Sequence, residues 1–210
     1  MGNYIITIAR QYGSGGKTVG EMLAREFGIN CYDREIMRMA SDESGIAEGL
    51  FGQADERLKN SPLVRITRNI YKGQLVPPES DEFVSNDNLF NYQAKVIREL
   101  AEEESCIVIG RCADYVLRDY DNVISVFVHA DKEFCMARAK ERMGVSDKEV
   151  EKHIQKTDKF RADYYKHYTG QEWYDARNYD LCLNSGKLGF DGCAEAIKSY
   201  LKVRGVEWAR

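Results

Sequence analysis

Near the start of this chain a strand-forming run passes into a glycine-rich loop and then into a helical pattern, and that order constrains the fold more than any other feature. Tyr4-Ile5-Ile6-Thr7-Ile8-Ala9 is β-branched and unbroken, as a strand buried on both faces should be. Gly13-Ser14-Gly15-Gly16-Lys17-Thr18 follows, and Val19, Leu23 and Phe27 then recur at helical spacing from Thr18 to Phe27. Such a loop exposes successive backbone N–H groups at the positive end of a helix, which makes an anion site. Gly13, Gly15 and Gly16 let the backbone curl around phosphate oxygens without a Cβ in the way. Lys17 can bridge the outer phosphates, and the Thr18 hydroxyl can hold Mg²⁺. The expected ATP cradle therefore runs from Gly13 through Ser14, Gly15, Gly16, Lys17 and Thr18 to Val19, with Mg²⁺ as cofactor.

The loop is a variant. The full signature G-x-x-x-x-G-K-[ST] would put its first glycine where Gln11 stands. A dinucleotide fingerprint, G-x-G-x-x-G, competes for the same residues, and Asp33 does lie roughly 20 residues beyond Gly13. Counted from Gly13, its third glycine falls on Thr18, so the pattern fails there, and Lys17-Thr18 suits outer phosphates better than a tightly packed pyrophosphate.

Short apolar runs alternate with longer amphipathic ones along the rest of the chain, the rhythm of a parallel sheet flanked by helices. Further strands are expected at Cys31-Tyr32, Cys106–Gly110, Ile124–His129 and Leu181–Leu183. Helices are expected from Asp33 to about Ala40, from Asp131 to Met143 with Asp131 as N-cap, and from Asp191 to Val203. The fold class is thus α/β, a three-layer phosphate-loop sandwich on a five-stranded parallel sheet. Two stretches break the rhythm. Residues 41–87 show no strand and hold Pro62, Pro77 and Pro78, which suggests an inserted, partly helical lobe with a mobile loop at 73–83. Residues 145–173 are charged and aromatic and read as helical arms turning near Tyr168-Thr169-Gly170.

Composition excludes several classes. The chain has 210 residues, 43% hydrophobic and 30% charged, enough for one domain with a full core. No apolar run approaches the roughly 20 residues of a membrane helix, and the first residues lack the pattern of a signal peptide. Cytoplasmic location and no membrane partner are expected. The net charge of −4 argues against a nucleic-acid polymer as partner, although Lys152–Arg161 is a local basic stretch suited to a phosphate-rich small ligand. Six cysteines are scattered without a C-x-x-C pair, and Cys31, Cys106 and Cys182 lie in apolar runs as small hydrophobes. His129, His153 and His167 form no triad pattern, and His129 ends a strand. The aromatics from Tyr164 to Tyr179 are expected to pack the arms onto the core rather than to stack on bases.

Taken in order, IITIARQYGSGGKTVGEMLA, INCYDREIM, IVIGRCADYVL, TDKFRADYYKHYTGQEW and NYDLCLNS resemble the cytidylate kinase-like family, a relative of bacterial cytidylate kinases within the nucleoside monophosphate kinase group. The resemblance runs from about residue 4 to 201. It implies ATP-dependent phosphoryl transfer to a small phosphorylated acceptor such as CMP or dCMP, by a monomer or homodimer. It also implies a core (1–40, 88–143 and 174–210), an acceptor-binding insertion (41–87) and a lid (144–173). Asp33, Arg38 and Arg111 would hold the acceptor, and an arginine at the C-terminal end of a parallel strand does face the ligand crevice. Arg161 and Lys156 would supply lid cations during transfer, and Arg142 would stack on adenine. The same resemblance leaves room for another small-molecule acceptor, or for a regulatory protein that binds nucleotide without turnover. Where the bacterial enzymes carry Asp-Gly-Arg-Asp, this chain has Ile109-Gly110-Arg111-Cys112.

Overall fold

The computed structural model describes residues 3–60 and 73–206, with side chains of 55–60 left aside. Five strands form one sheet: β1 (Ile5–Arg10), β2 (Asn30–Tyr32), β3 (Cys106–Ile109), β4 (Val123–His129) and β5 (Leu181–Asn184). Their order is β2-β3-β1-β4-β5 and every pairing is parallel. β1 is central, with Ile5 opposite Cys106 on one side and Val123 on the other. A central parallel strand must be apolar on both faces, and successive β1 residues do enter different cores. Ile5 and Ala9 join one cluster, whereas Tyr4, Ile6 and Ile8 join the other.

Helices α1 (Gly16–Phe27), α2 (Glu35–Ser44), α3 (Glu48–Asn60), α4 (Asn86–Glu103), α5 (Ala113–Val116), α6 (Lys132–Met143), α7 (Asp147–Thr169) and α8 (Ser185–Val203) complete the described chain. α1 and α8 cover one face, burying Val19, Leu23, Phe27, Ile197 and Leu201. α2 to α5 and the aromatic end of α7 cover the other. The result is the three-layer α/β sandwich expected, and each large side chain buried adds about 1.5–3 kcal/mol.

The differences from the sequence reading have local causes. α4 is an 18-residue helix outside the expected rhythm, started by Ser85, whose side chain accepts from the Asn88 amide. Its buried residues include Leu89, Phe90, Ala94 and Ile97. Residues 41–87 contain no strand among the described residues, and Ile46, Phe51 and Ala54 belong to the main core. The proline segment at 73–83 is tied down by Asn88, which accepts from the Val76 amide at 2.8 Å and donates to the Phe83 carbonyl at 2.8 Å. Pro62 lies outside the described residues. Within 145–173 there is one 23-residue helix, opened by a Ser146–Glu149 capping box and closed by Gly170 at φ 73°. Tyr164, Tyr165, Tyr168, Trp173 and Tyr179 are buried, so that aromatic run packs against the core. Asp131 occupies the N-cap of α6, although its side chain makes no capping bond. α8 starts at Ser185 rather than Asp191 and is broken at Gly189. Cys31 is half-buried and Cys106 buried, but Cys182 is exposed, because β5 is an edge strand.

Candidate functional site

The loop between β1 and α1 is fixed by its surroundings. Gly13 and Gly15 have φ of 83° and 80°, a region that costs an L-residue strain. A Cβ on Gly13 would lie 2.5 Å from the Cys135 carbonyl oxygen, and one on Gly15 would lie 2.2 Å from the Phe190 ring. A Cβ on Gly16 would meet the Arg10 side chain at 2.5 Å. The Ser14 side chain belongs to this framework: its hydroxyl is buried against the Gln11 and Val128 carbonyls, both 3.0 Å away. Ser185 donates to the Ser14 carbonyl at 2.6 Å. Gln11, standing where the signature has glycine, accepts the Ala130 amide on its side chain at 3.2 Å and so ties the loop to the exit of β4. Val19 packs in the core and its amide bonds to the Gly15 carbonyl, which leaves it no group for a ligand. Among the described residues, no loop carbonyl or side chain accepts from the amides of Gly15, Gly16, Lys17 or Thr18. A rigid turn with open N–H groups at a helix start is a cradle for phosphate oxygens.

Beside the loop lies a cavity of about 130 Å³ lined by residues that include Arg10, Asp33, Arg111, Asp114, Arg161 and Trp173. Arg10 ends β1, Asp33 follows β2 and Arg111 follows β3, so three adjacent strands deliver charge at their C-terminal ends. Arg161 enters from α7. Asp33 joins loop and cavity: its carboxylate accepts from Lys17 at 2.9 Å and from Arg10 at 3.5 Å. Burial pushes the Asp33 carboxyl up, but Arg10 and Lys17 together hold it below the ordinary carboxylate value. The hydrogen bond to Asp33 in turn raises Lys17.

Arg10 is the most strained charge of the group. Its guanidinium falls to about 9, first through burial and then through the like charges of Arg161 and Arg111, against which Asp33 and Asp158 only partly compensate. It also lies against Gly110, where a Cβ would come within 2.1 Å of it. Gly110, Arg111 and Cys112 all adopt left-handed backbone, at φ 72°, 60° and 53°. Two consecutive non-glycine residues in that region cost on the order of 1–3 kcal/mol each, and such strain gathers at functional sites. Here it turns the Arg111 segment along the cavity.

The long helix α7 is docked onto the loop. Asp158 accepts from the Tyr12 amide at 2.7 Å and pairs with Arg161 at 3.3 Å, while Arg161 donates to the Arg10 carbonyl at 2.9 Å. Burial raises the Asp158 carboxyl despite these partners and lowers Arg161.

Of the residues singled out in the sequence, Lys17, Asp33, Arg111 and Arg161 come together at the loop and cavity. Arg38 is exposed on α2, Lys156 is exposed on α7 and Arg142 is exposed at the end of α6, and none lines the cavity. No described residue of 41–87 lines it either. Sequence reasoning missed Arg10, Asp114, Tyr165 and Trp173. Arg10 was accessible to the argument applied to Arg111, since it too ends a central parallel strand; the others have no local signal. Among the described residues no group of three His, Cys, Asp or Glu side chains is arranged to hold a metal, and no helix is long and apolar enough to cross a membrane.

Compared with known proteins, residues 5–187 match the cytidylate kinase-like family. The chain is 24% identical over 208 residues to the cytidylate kinase of Archaeoglobus fulgidus, covering 96% of this chain and 97% of that one. It is 24% identical over 204 residues to the cytidylate kinase of Methanopyrus kandleri, covering 93% and 91%. Among solved structures, an uncharacterized protein from Eubacterium ventriosum superposes with a TM-score of 0.70 at 29% identity, covering 95% and 99%. The shikimate kinase of Bacteroides thetaiotaomicron superposes with a TM-score of 0.53 at 13% identity, covering 95% and 98%, a likeness of fold alone.

Proposed function

This chain belongs to the cytidylate kinase-like family, and from that premise we propose that it is a P-loop kinase that transfers the γ-phosphate of ATP to a nucleoside monophosphate, with CMP or dCMP as the preferred acceptor. The reading rests above all on the crowding of Arg10, Arg111 and Arg161 around one cavity next to the loop. Three half-buried guanidiniums lining one cavity make a strongly cationic wall, and a planar fork suits a phosphate. The acceptor phosphate takes that place, while the loop amides and Lys17 hold the β- and γ-phosphates of ATP. An acceptor phosphate oxygen attacks the γ-phosphorus, the bond from that phosphorus to the β-γ bridging oxygen breaks, and ADP leaves with the electron pair. Such a transfer needs little covalent help and much placed positive charge.

Mg²⁺ fits this site as a cation that arrives with the nucleotide. It takes oxygen ligands and keeps several waters, so the Thr18 hydroxyl and the nucleotide's own phosphates make a sufficient donor set without a protein cage. When bound, it would neutralise phosphate charge. On the same reading residues 41–87 and 144–173 are the acceptor insertion and the lid, and the protein acts in the cytoplasm. An acceptor screen scoring ADP release from Mg·ATP tests the proposal with CMP, dCMP, UMP, AMP and non-nucleotide acceptors. Release with CMP or dCMP well above the rest is expected; tight ATP binding with no acceptor turned over would overturn it.

A further inference from the structure

The cavity is mixed in character. Arg10, Arg111 and Arg161 line it together with Asp114, Tyr165 and the rings of Phe160, Tyr164 and Trp173. The Tyr165 hydroxyl donates to Asp114 Oδ2 at 2.6 Å, with Gln171 Oε1 a further 3.2 Å from that hydroxyl. Burial, with Asp114 beside it, keeps the Tyr165 phenol protonated and therefore a donor. Asp114 is half-buried and lines the cavity, so it is open to a ligand while surrounded by protein. Nothing in the phosphate-holding machinery uses it. Burial raises its carboxyl to about 6. A cavity-lining acid oriented by a tyrosine is arranged to meet a donor on a ligand.

We infer that Asp114, positioned by Tyr165, reads the base of the acceptor by accepting a hydrogen bond from its exocyclic amino group. This rests on the reading of the cavity as a nucleoside monophosphate site. With the phosphate against the arginines, the rest of the acceptor lies among the other lining groups, Asp114 and the aromatic side chains. Aromatic rings there suit the faces of a planar base. Asp114 Oδ2 accepts from Tyr165, and the carboxyl has lone pairs left for a donor on the ligand. Cytosine presents an amino donor at the position where uracil presents a carbonyl oxygen. A site built to pair with a donor discriminates strongly against an analogue without it, because its own buried acceptor is then left unmatched.

The test is the ratio of kcat/KM for CMP to that for UMP, measured with dCMP alongside. The wild-type protein prefers CMP. Asp114→Asn places an amide where its carbonyl can take the Tyr165 bond and its NH₂ faces the ligand, so the ratio falls about 100-fold, chiefly by loss on CMP. Tyr165→Phe leaves the acid unoriented and lowers the ratio about 10-fold through KM rather than kcat. Should Asp114→Asn fail to fold, the Tyr165→Phe ratio decides the matter. An unchanged ratio in the folded variants overturns the inference while leaving the kinase reading intact. So does a fall shared by CMP and UMP but spared in dCMP, which would put Asp114 on the ribose 2′-hydroxyl. A wild-type protein that phosphorylates no nucleoside monophosphate overturns both.

Discussion

The loop from Gly13 to Thr18 is written in one stretch of sequence, whereas the cavity beside it draws Arg10, Asp33, Arg111, Asp114, Arg161 and Trp173 from separate segments. Their stability is organised differently too. The loop works through backbone: glycines without room for a Cβ, and carbonyls pinned by Ser14 and Ser185. The cavity works through side chains, and burial there, with the like charges of Arg161 and Arg111, takes Arg10 down to about 9. A phosphate cradle of open amides needs no counter-charge until ligand arrives. A cluster of guanidiniums carries repulsion that an anion relieves, so the two regions should respond to substitution in separable ways.

The largest expected effect is on the loop. Lys17→Ala should reduce turnover about 1,000-fold, as loss of a cation on the transferring group does. The fold should survive, since the Lys17–Asp33 pair is half exposed and worth less than about 1 kcal/mol. Rates of ADP release and a melting curve check both halves, and a large fall in melting temperature would merge the two regions rather than separate them. Gly15→Ala comes next, with an expected loss of about 100-fold in activity and a lower melting temperature. Its Cβ meets Phe190, so adding Phe190→Ala should recover part of the stability, but the strain of φ 80° remains. For the cavity, Arg111→Lys should raise KM for the acceptor about 30-fold and leave KM for ATP unchanged, because a lysine cannot supply a planar fork.

The smallest effect is a pH slope. The folded protein holds the Asp114 carboxyl at about 6, against an ordinary value of 3.8. Between those values the folded state binds a proton that the unfolded chain releases, so stability falls as pH rises from about 4 to about 6. The ceiling is roughly 3 kcal/mol, and the solvent-open part of Asp114 reduces it. Asp114→Asn should flatten this part of a denaturation-versus-pH series; an unaltered slope would place its origin elsewhere.

How much of this could be read from sequence follows the same division. β1, β3 and β4 are legible as β-branched runs, and the loop is legible because strand, glycines, Lys17 and Thr18 are contiguous. Gln11 looks like a defect in the motif until its side chain is seen to hold the Ala130 amide. α4 was open to recognition through its Ser85 cap and apolar spacing, yet it lies in a region where no strand marks the rhythm. Arg111 and Asp33 are legible from strand ends. Asp114 and Tyr165, by contrast, meet only because the fold brings α7 against α5, and 51 residues separate them. The fate of Lys156 and Arg142 was equally hidden: a basic helix shows its charges in sequence but not which of them turns inward, and only Arg161 does so.

If loop and cavity are two sites for two phosphates, calorimetric titration of ATP and of CMP into the Arg111→Ala protein separates them. The Kd for CMP should rise at least 10-fold while the Kd for ATP stays within twofold of wild type. An unchanged CMP affinity with weakened ATP binding would contradict it.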